Sequence, residues 1–117
     1  MKPIRIGTLI GGGEAANLIP KLLPYGFESF SLTFWQTTGG LDLAETAKKV
    51  KDALAGTDVC ISCISVYGNP LTGHGANYDT LASWERLIDH AHLFGTDLVT
   101  GFTGRIVDRP IEEAIPR

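Results

Sequence analysis

Three times along the chain a glycine is followed by any residue, then an acid, then an apolar run: Gly26-Phe27-Glu28, Gly56-Thr57-Asp58 and Gly95-Thr96-Asp97. Glycine reaches the left-handed backbone that stops a helix at little steric cost. Each triplet therefore reads as the end of a helix and the start of a strand. No other feature constrains the fold as much. Helices and strands that alternate through short links imply a parallel sheet with right-handed crossovers. Parallel strands buried on both faces read as near-continuous apolar runs. The stretch after Asp58 is one: Val59, Cys60, Ile61, Ile64 and Val66 lead into Gly68, Asn69, Pro70, Gly73 and His74. In such folds the loops beyond the carboxyl ends of the strands carry the chemistry.

The remaining elements follow this plan. Ile4 to Ile10 reads as the first strand, with Ile4, Ile6, Thr8 and Ile10 on one face, and Gly11-Gly12-Gly13 ends it. Glu14 to Leu23 reads as a short helix limited by Pro20. Phe27 to Trp35 alternates, with Phe30, Leu32 and Phe34 on one face and Ser29, Ser31, Thr33 and Trp35 on the other. Asp42 is placed to cap a helix over Leu43 to Ala55, with Glu45 at capping-box spacing and Leu43, Ala47, Val50 and Leu54 on one stripe. Asn77 or Asp79 starts a helix running to about Phe94, with Leu81, Trp84, Leu87, Ile88 and Ala91 on its buried side. Leu98 to Phe102 is the fourth strand, and Pro110 and Pro116 suit the first turn of one more helix.

The expectation is a single domain over 1–117, an α/β chain of about four parallel strands alternating with helices. Four such strands make either a small open sheet or half of an eight-stranded barrel. A whole barrel takes about 250 residues, roughly twice this length. By composition the tail does not read as a finished C-terminus, and both the open sheet and the half-barrel stay in play.

Composition excludes several classes. Hydrophobic residues at 44% and charged residues at 20% suit a globular core, and a net charge of −3 argues against a nucleic-acid partner. Lys48, Lys49 and Lys51 form the one basic cluster, on a predicted helix, where a solvated face accounts for them. No leader pattern opens the chain, and no apolar stretch reaches the about 18 residues that a membrane span needs. Cys60 and Cys63 lie three apart in a strand, which predicts opposite faces and neither a shared metal nor a disulfide. They read as buried, reduced structural cysteines of a cytoplasmic protein.

Several residues could carry chemistry, each against a plainer alternative. Gly11 to Ala16 matches a dinucleotide-binding glycine pattern between strand and helix, yet the second strand ends in Phe34-Trp35-Gln36, without the acid that would bind a ribose. A flexible strand-to-helix turn explains the glycines better, and a phosphate contact there stays open. Trp35 and Gln36 pair an aromatic platform with an amide; the alternative is a core tryptophan beside a surface glutamine. Asn69 and His74 could hydrogen-bond a polyol, and His74 could move a proton. Asn69 before Pro70 could instead form a turn, and His74 could simply be solvated. Arg105 could bind a phosphate or carboxylate, or pair with Asp108 or Glu112. Asp89, His90 and His92 read as helix surface rather than metal ligands.

The segments RIGTLIGGG (Arg5 to Gly13), GFESFSLTFWQ (Gly26 to Gln36), ISVYGNPL (Ile64 to Leu71) and GTDLVTGFTGR (Gly95 to Arg105) carry a resemblance. Together they resemble the N-terminal half of sugar phosphate isomerases/epimerases of the xylose-isomerase-like TIM barrel superfamily. The resemblance implies carbohydrate metabolism, a sugar or sugar phosphate substrate, and metal-assisted proton transfer next to a carbonyl. It implies a divalent cation (Mn, Mg, Zn or Co) held by Glu, Asp, His and Glu of later strands, so that no metal ligand carries over to this chain and no catalytic residue is assigned. Trp35, Gln36, Asn69, His74 and Arg105 would line the substrate side. Related apurinic endonucleases add histidines from earlier strands; here the fourth strand ends in Thr103, which argues against DNA repair. This chain alone is expected to be inactive, and its first and fourth strands to be bare edges inviting a homo-oligomer or a complementing C-terminal half. The alternatives are a nucleotide-binding open sheet using Gly11 to Gly13 and a non-catalytic half-barrel module.

Overall fold

The computed structural model describes residues 3–115. Its four strands are β1 (Gly7–Gly11), β2 (Ser29–Trp35), β3 (Cys60–Tyr67) and β4 (Val99–Gly101). The helices between them are α1 (Ala15–Leu22), α2 (Leu43–Leu54) and α3 (Thr80–His90), and short 3-10 turns extend α1 and α3. All neighbouring strands pair in parallel, in the order β1-β2-β3-β4. The fold is α/β, as the repeated glycine triplet predicts, and Gly26, Gly56 and Gly95 all hold left-handed backbone, at φ of 86°, 76° and 78°.

The strand order decides the layering. Each crossover steps one strand in the same direction, so right-handed connections put every helix on the same side. The core shows it: Ile10, Phe30, Leu32, Phe34, Ile61, Ile64 and Val66 of the sheet meet Ala15 and Ile19 of α1, Leu43, Ala47 and Val50 of α2, and Leu87 of α3. Phe30 is fully buried, and its truncation to alanine would cost about 3–5 kcal/mol. No described helix covers the opposite face. This is the arrangement of part of a β/α barrel and not of a doubly wound sheet, whose order reverses.

Several boundaries differ from the sequence reading. β1 begins at Gly7, and Ile4 and Ile6 are exposed, because no described element reaches over the amino end of the sheet. Arg5 holds that segment by donating to the Asp58 carbonyl at 2.7 Å, and Glu28 accepts from the Ile6 amide at 2.7 Å. Leu81 and Ile88 are exposed, not buried; α3 turns Thr80, Ser83 and Leu87 inward instead. Asp42 caps α2 as its spacing predicts, accepting from the Glu45 amide at 3.0 Å. The tail forms only a single 3-10 turn at Ile111–Glu113, and Pro116 lies outside the described residues.

The cysteines are a clear correction. Ser29 pairs with Cys60 and Ser31 with Cys63, so β3 holds one extra residue, Ser62, against β2. A bulge of this kind resets the alternation. Both cysteines therefore lie on the helix-free face. Both are free, and Cys60 is exposed rather than buried. No described helix is long and apolar enough to cross a membrane.

Candidate functional site

The carboxyl ends of β2, β3 and β4 open into a cleft of about 660 Å³. Strand parity explains its floor. Trp35 pairs with Tyr67, and the Tyr67 and Phe102 rings stand 5.0 Å apart at 44°. These three aromatic residues close successive strands and all line the cleft. Trp35 is 70% exposed and Phe102 55%, so the shelf they form faces solvent. One layer below, on the same face, sit the hydroxyls of Thr33, Ser65 and Thr100, with Thr100 donating to Ser65 at 2.9 Å.

Gln36 follows Trp35 with φ of 65°, a left-handed conformation that a non-glycine residue holds only when its neighbours impose it. Here they do. The Gln36 amide donates to the Tyr67 carbonyl at 3.1 Å, and its carbonyl accepts from Thr80 Oγ1 at 2.6 Å. The strained turn leaves the Gln36 side chain on the cleft wall.

Asn69 and Arg105 also line the cleft, and they are bonded to each other. Asn69 Nδ2 donates to the Arg105 carbonyl at 2.7 Å, and Oδ1 accepts from the Arg105 amide at 3.1 Å and the Leu71 amide at 3.1 Å. Asn69 Oδ1 is thus committed to the backbone, which is the turn-forming role rather than a free polyol contact. The Asn69 amide in turn donates to Asn77 Oδ1 at 2.8 Å. Gly104 sits beneath this clasp with φ of 85°, and a Cβ there would run into Asn69 Oδ1. The Arg105 guanidinium makes no ion pair with Asp108 or Glu112; among the described residues Glu113 pairs with Arg109. Among the described residues Arg105 is the one charged side chain lining the cleft.

His74 is not part of this cleft. It is exposed in the loop beyond Pro70 and borders a separate depression with Leu71, Thr72 and Ile106 to Asp108. The structure therefore brings together Trp35, Gln36, Asn69 and Arg105 and leaves His74 outside. Phe102, Asn77 and Thr103 join the lining without having been singled out from sequence. An aromatic residue closing each of three successive strands was the signal that could have found Phe102.

A half-buried polar cluster fixes the loop after β2 to α3. Asp79 accepts from Arg86 and, at 3.0 Å, from Thr37 Oγ1, while Arg86 Nε donates to Thr38 Oγ1 at 3.0 Å. Ser83 Oγ accepts from the Thr38 amide at 2.9 Å. The hydrogen bond from Arg86 holds the Asp79 carboxyl below its ordinary range, with burial opposing and the Thr37 hydroxyl adding to the lowering. Asp79 thus starts α3 without capping it, since its carboxylate is spent on this cluster.

The cleft does not fit a divalent cation. Among the described residues its polar side chains are neutral amides, hydroxyls and a guanidinium, with no carboxylate or imidazole. Among the described residues no three His, Cys, Asp or Glu side chains converge. The glycine loop after β1 has a packing explanation: a Cβ on Gly12 would enter the Phe34 ring. A sheet whose order never reverses also lacks the switch point where open α/β sheets bind nucleotides.

No family model, no curated protein and no solved structure matches the chain.

Proposed function

We propose that this chain is one half of a cytoplasmic sugar (phosphate) isomerase/epimerase-like barrel, binding a small sugar or sugar phosphate in the cleft at the carboxyl ends of β2 to β4. The observation that carries the reading is the shelf of Trp35, Tyr67 and Phe102 beside the Arg105 guanidinium. Aromatic faces pack against the apolar C–H face of a sugar ring, and a guanidinium suits a phosphate or carboxylate. Gln36 and Thr103 supply polar contacts at the rim. Binding and orientation are the roles of these residues. The chain alone turns no sugar over, because among the described residues the cleft holds neither a carboxylate or imidazole for acid–base work nor ligands for a metal.

Trp35 reports on binding directly. In a Trp84→Phe background, a pentose or hexose and its phosphate should each change Trp35 emission, with the phosphate tighter. Unchanged emission up to about 10 mM sugar, less than roughly 3 kcal/mol of binding, would reject the site. Metal-dependent epimerisation of a ketose by the purified chain would reject the claim of inactivity.

A further inference from the structure

We infer that residues 106–115 are a strap that closes over a sugar phosphate held on the aromatic shelf, with Ile111 as the side chain that covers it; this rests on the sugar-binding reading of the cleft. Ile111 is the strap's contribution to the cleft lining, and it stands 61% exposed opposite a shelf whose Trp35 and Phe102 also face solvent. Apolar surface on both sides of the cleft is thus left in water. A ligand between Ile111 and the shelf would let both be covered at once, and that burial drives closure. A closed strap would exclude water from the ligand and slow its release.

The bonding of the strap points the same way. The clasp to Asn69 ends at Arg105. Beyond it, among the described residues, no hydrogen bond or ion pair joins 106–115 to the rest of the chain. The bonds it makes are internal: the Glu113 amide donates to the Pro110 carbonyl at 3.1 Å, the Ala114 amide to the Ile111 carbonyl at 3.0 Å, and Arg109 to Glu113 at 3.1 Å. The turn that carries Ile111 is therefore a unit that can move without breaking a bond to the body, and such segments rearrange at low cost. Asp108 lies between clasp and turn with φ of 63°. Gln36 holds the same left-handed backbone under bonds to Tyr67 and Thr80, whereas among the described residues no hydrogen bond holds Asp108. Strain without a restraint marks the hinge. Gly104, also left-handed, lies on the clasped side and stays with the body. Three residues past Asp108, Ile111 can travel up to about 10 Å.

The test uses ribose 5-phosphate as the probe and reads binding and closure separately. Trp35 emission in a Trp84→Phe background reads binding. Alkylation of Ile111→Cys in a Cys60→Ser/Cys63→Ser background reads closure, and hydrogen exchange over 106–115 of the unmodified chain reads it a second time. Expected at saturating probe are alkylation slowed at least about tenfold and slower exchange at Glu113 and Ala114 as well. Asp108→Gly relieves the strain of the open form, so it should weaken binding about fivefold. Saturating Trp35 emission with unchanged alkylation and exchange would overturn the strap and leave the cleft reading standing. Protection confined to position 111, with exchange elsewhere in the strap unchanged, would mean direct ligand contact without closure and would overturn it too. Emission that never responds would overturn both readings together.

Discussion

Asn69 holds Arg105 by its backbone and leaves the guanidinium free: the side-chain amide bonds both the carbonyl and the amide of Arg105, at 2.7 and 3.1 Å. The loop after β3 and the loop after β4 are thereby one unit. Asn69→Asp should cost about as much stability as Asn69→Ala, roughly 1–2 kcal/mol, because the aspartate sets a carboxylate against the Arg105 carbonyl. Denaturant midpoints would show it. An aspartate variant as stable as wild type would mean the clasp is not formed in solution.

Two glycines with positive φ should respond differently to alanine. Gly26 has open space around a built Cβ, so Gly26→Ala meets only the backbone penalty of about 1–2 kcal/mol. At Gly104 the same penalty is joined by a collision with Asn69 and Pro70. Gly104→Ala should therefore be the more destabilising by thermal melting, and equal losses would argue against the close approach.

Asp79 gives a pH signature. Its folded pKa is lowered below the ordinary 3.8, so its contribution is complete above that value and is lost as pH falls through the lower folded value. Asp79→Asn should flatten the loss of stability below about pH 4 and cost about 1–2 kcal/mol at neutral pH, a modest figure because Arg86 is partly exposed. Urea melts from pH 3 to 7 would measure both, and parallel acid limbs for the two proteins would contradict the assignment.

The cleft separates the candidate ligands by position. Arg105→Gln should remove the preference for a phosphorylated over a plain sugar, about a tenfold effect, with little loss of stability, since among the described residues the guanidinium has no ion-pair partner. His74→Ala should leave sugar binding unchanged, because His74 lies in a different depression. Calorimetric titration of both variants distinguishes these outcomes.

Cys60 should alkylate well before Cys63. Cys60 is exposed, whereas Cys63 is partly covered and contacts Ser31. Mass spectrometry of partially labelled protein reads the order, and simultaneous labelling would contradict it.

Much of the architecture was legible in the sequence because local chemistry sets it. The glycine triplets stop helices through backbone sterics, and Asp42 caps α2 through a bond three residues away. What was misread depends on neighbours far along the chain. Leu81 and Ile88 follow a helical stripe, yet α3 turns Thr80 and Ser83 inward, where the loop after β2 awaits them: Thr80 bonds the Gln36 carbonyl and Ser83 the Thr38 amide. Strict alternation misplaced the cysteines, because nothing local announces that Ser62 is the extra residue. In the cleft, Trp35 and Gln36 could be marked by their place at a strand end. His74 was marked by residue type, and type alone does not say where a loop points.

The bulge at Ser62 has a consequence for how this chain tolerates change. Ser62 is anchored from both sides, its hydroxyl donating to the Phe30 carbonyl at 3.3 Å and its own carbonyl accepting from Thr96 Oγ1 at 3.0 Å. Deleting it would give one-to-one pairing with β2 and leave Cys60 and Ile61 on the sides they now hold, since Ile61 already pairs with Phe30 and Cys63 with Ser31. A one-residue deletion there would cost these two hydrogen bonds and the local twist of the bulge but would spare the hydrophobic layer. The strand can lose a residue at that point without turning its core side out.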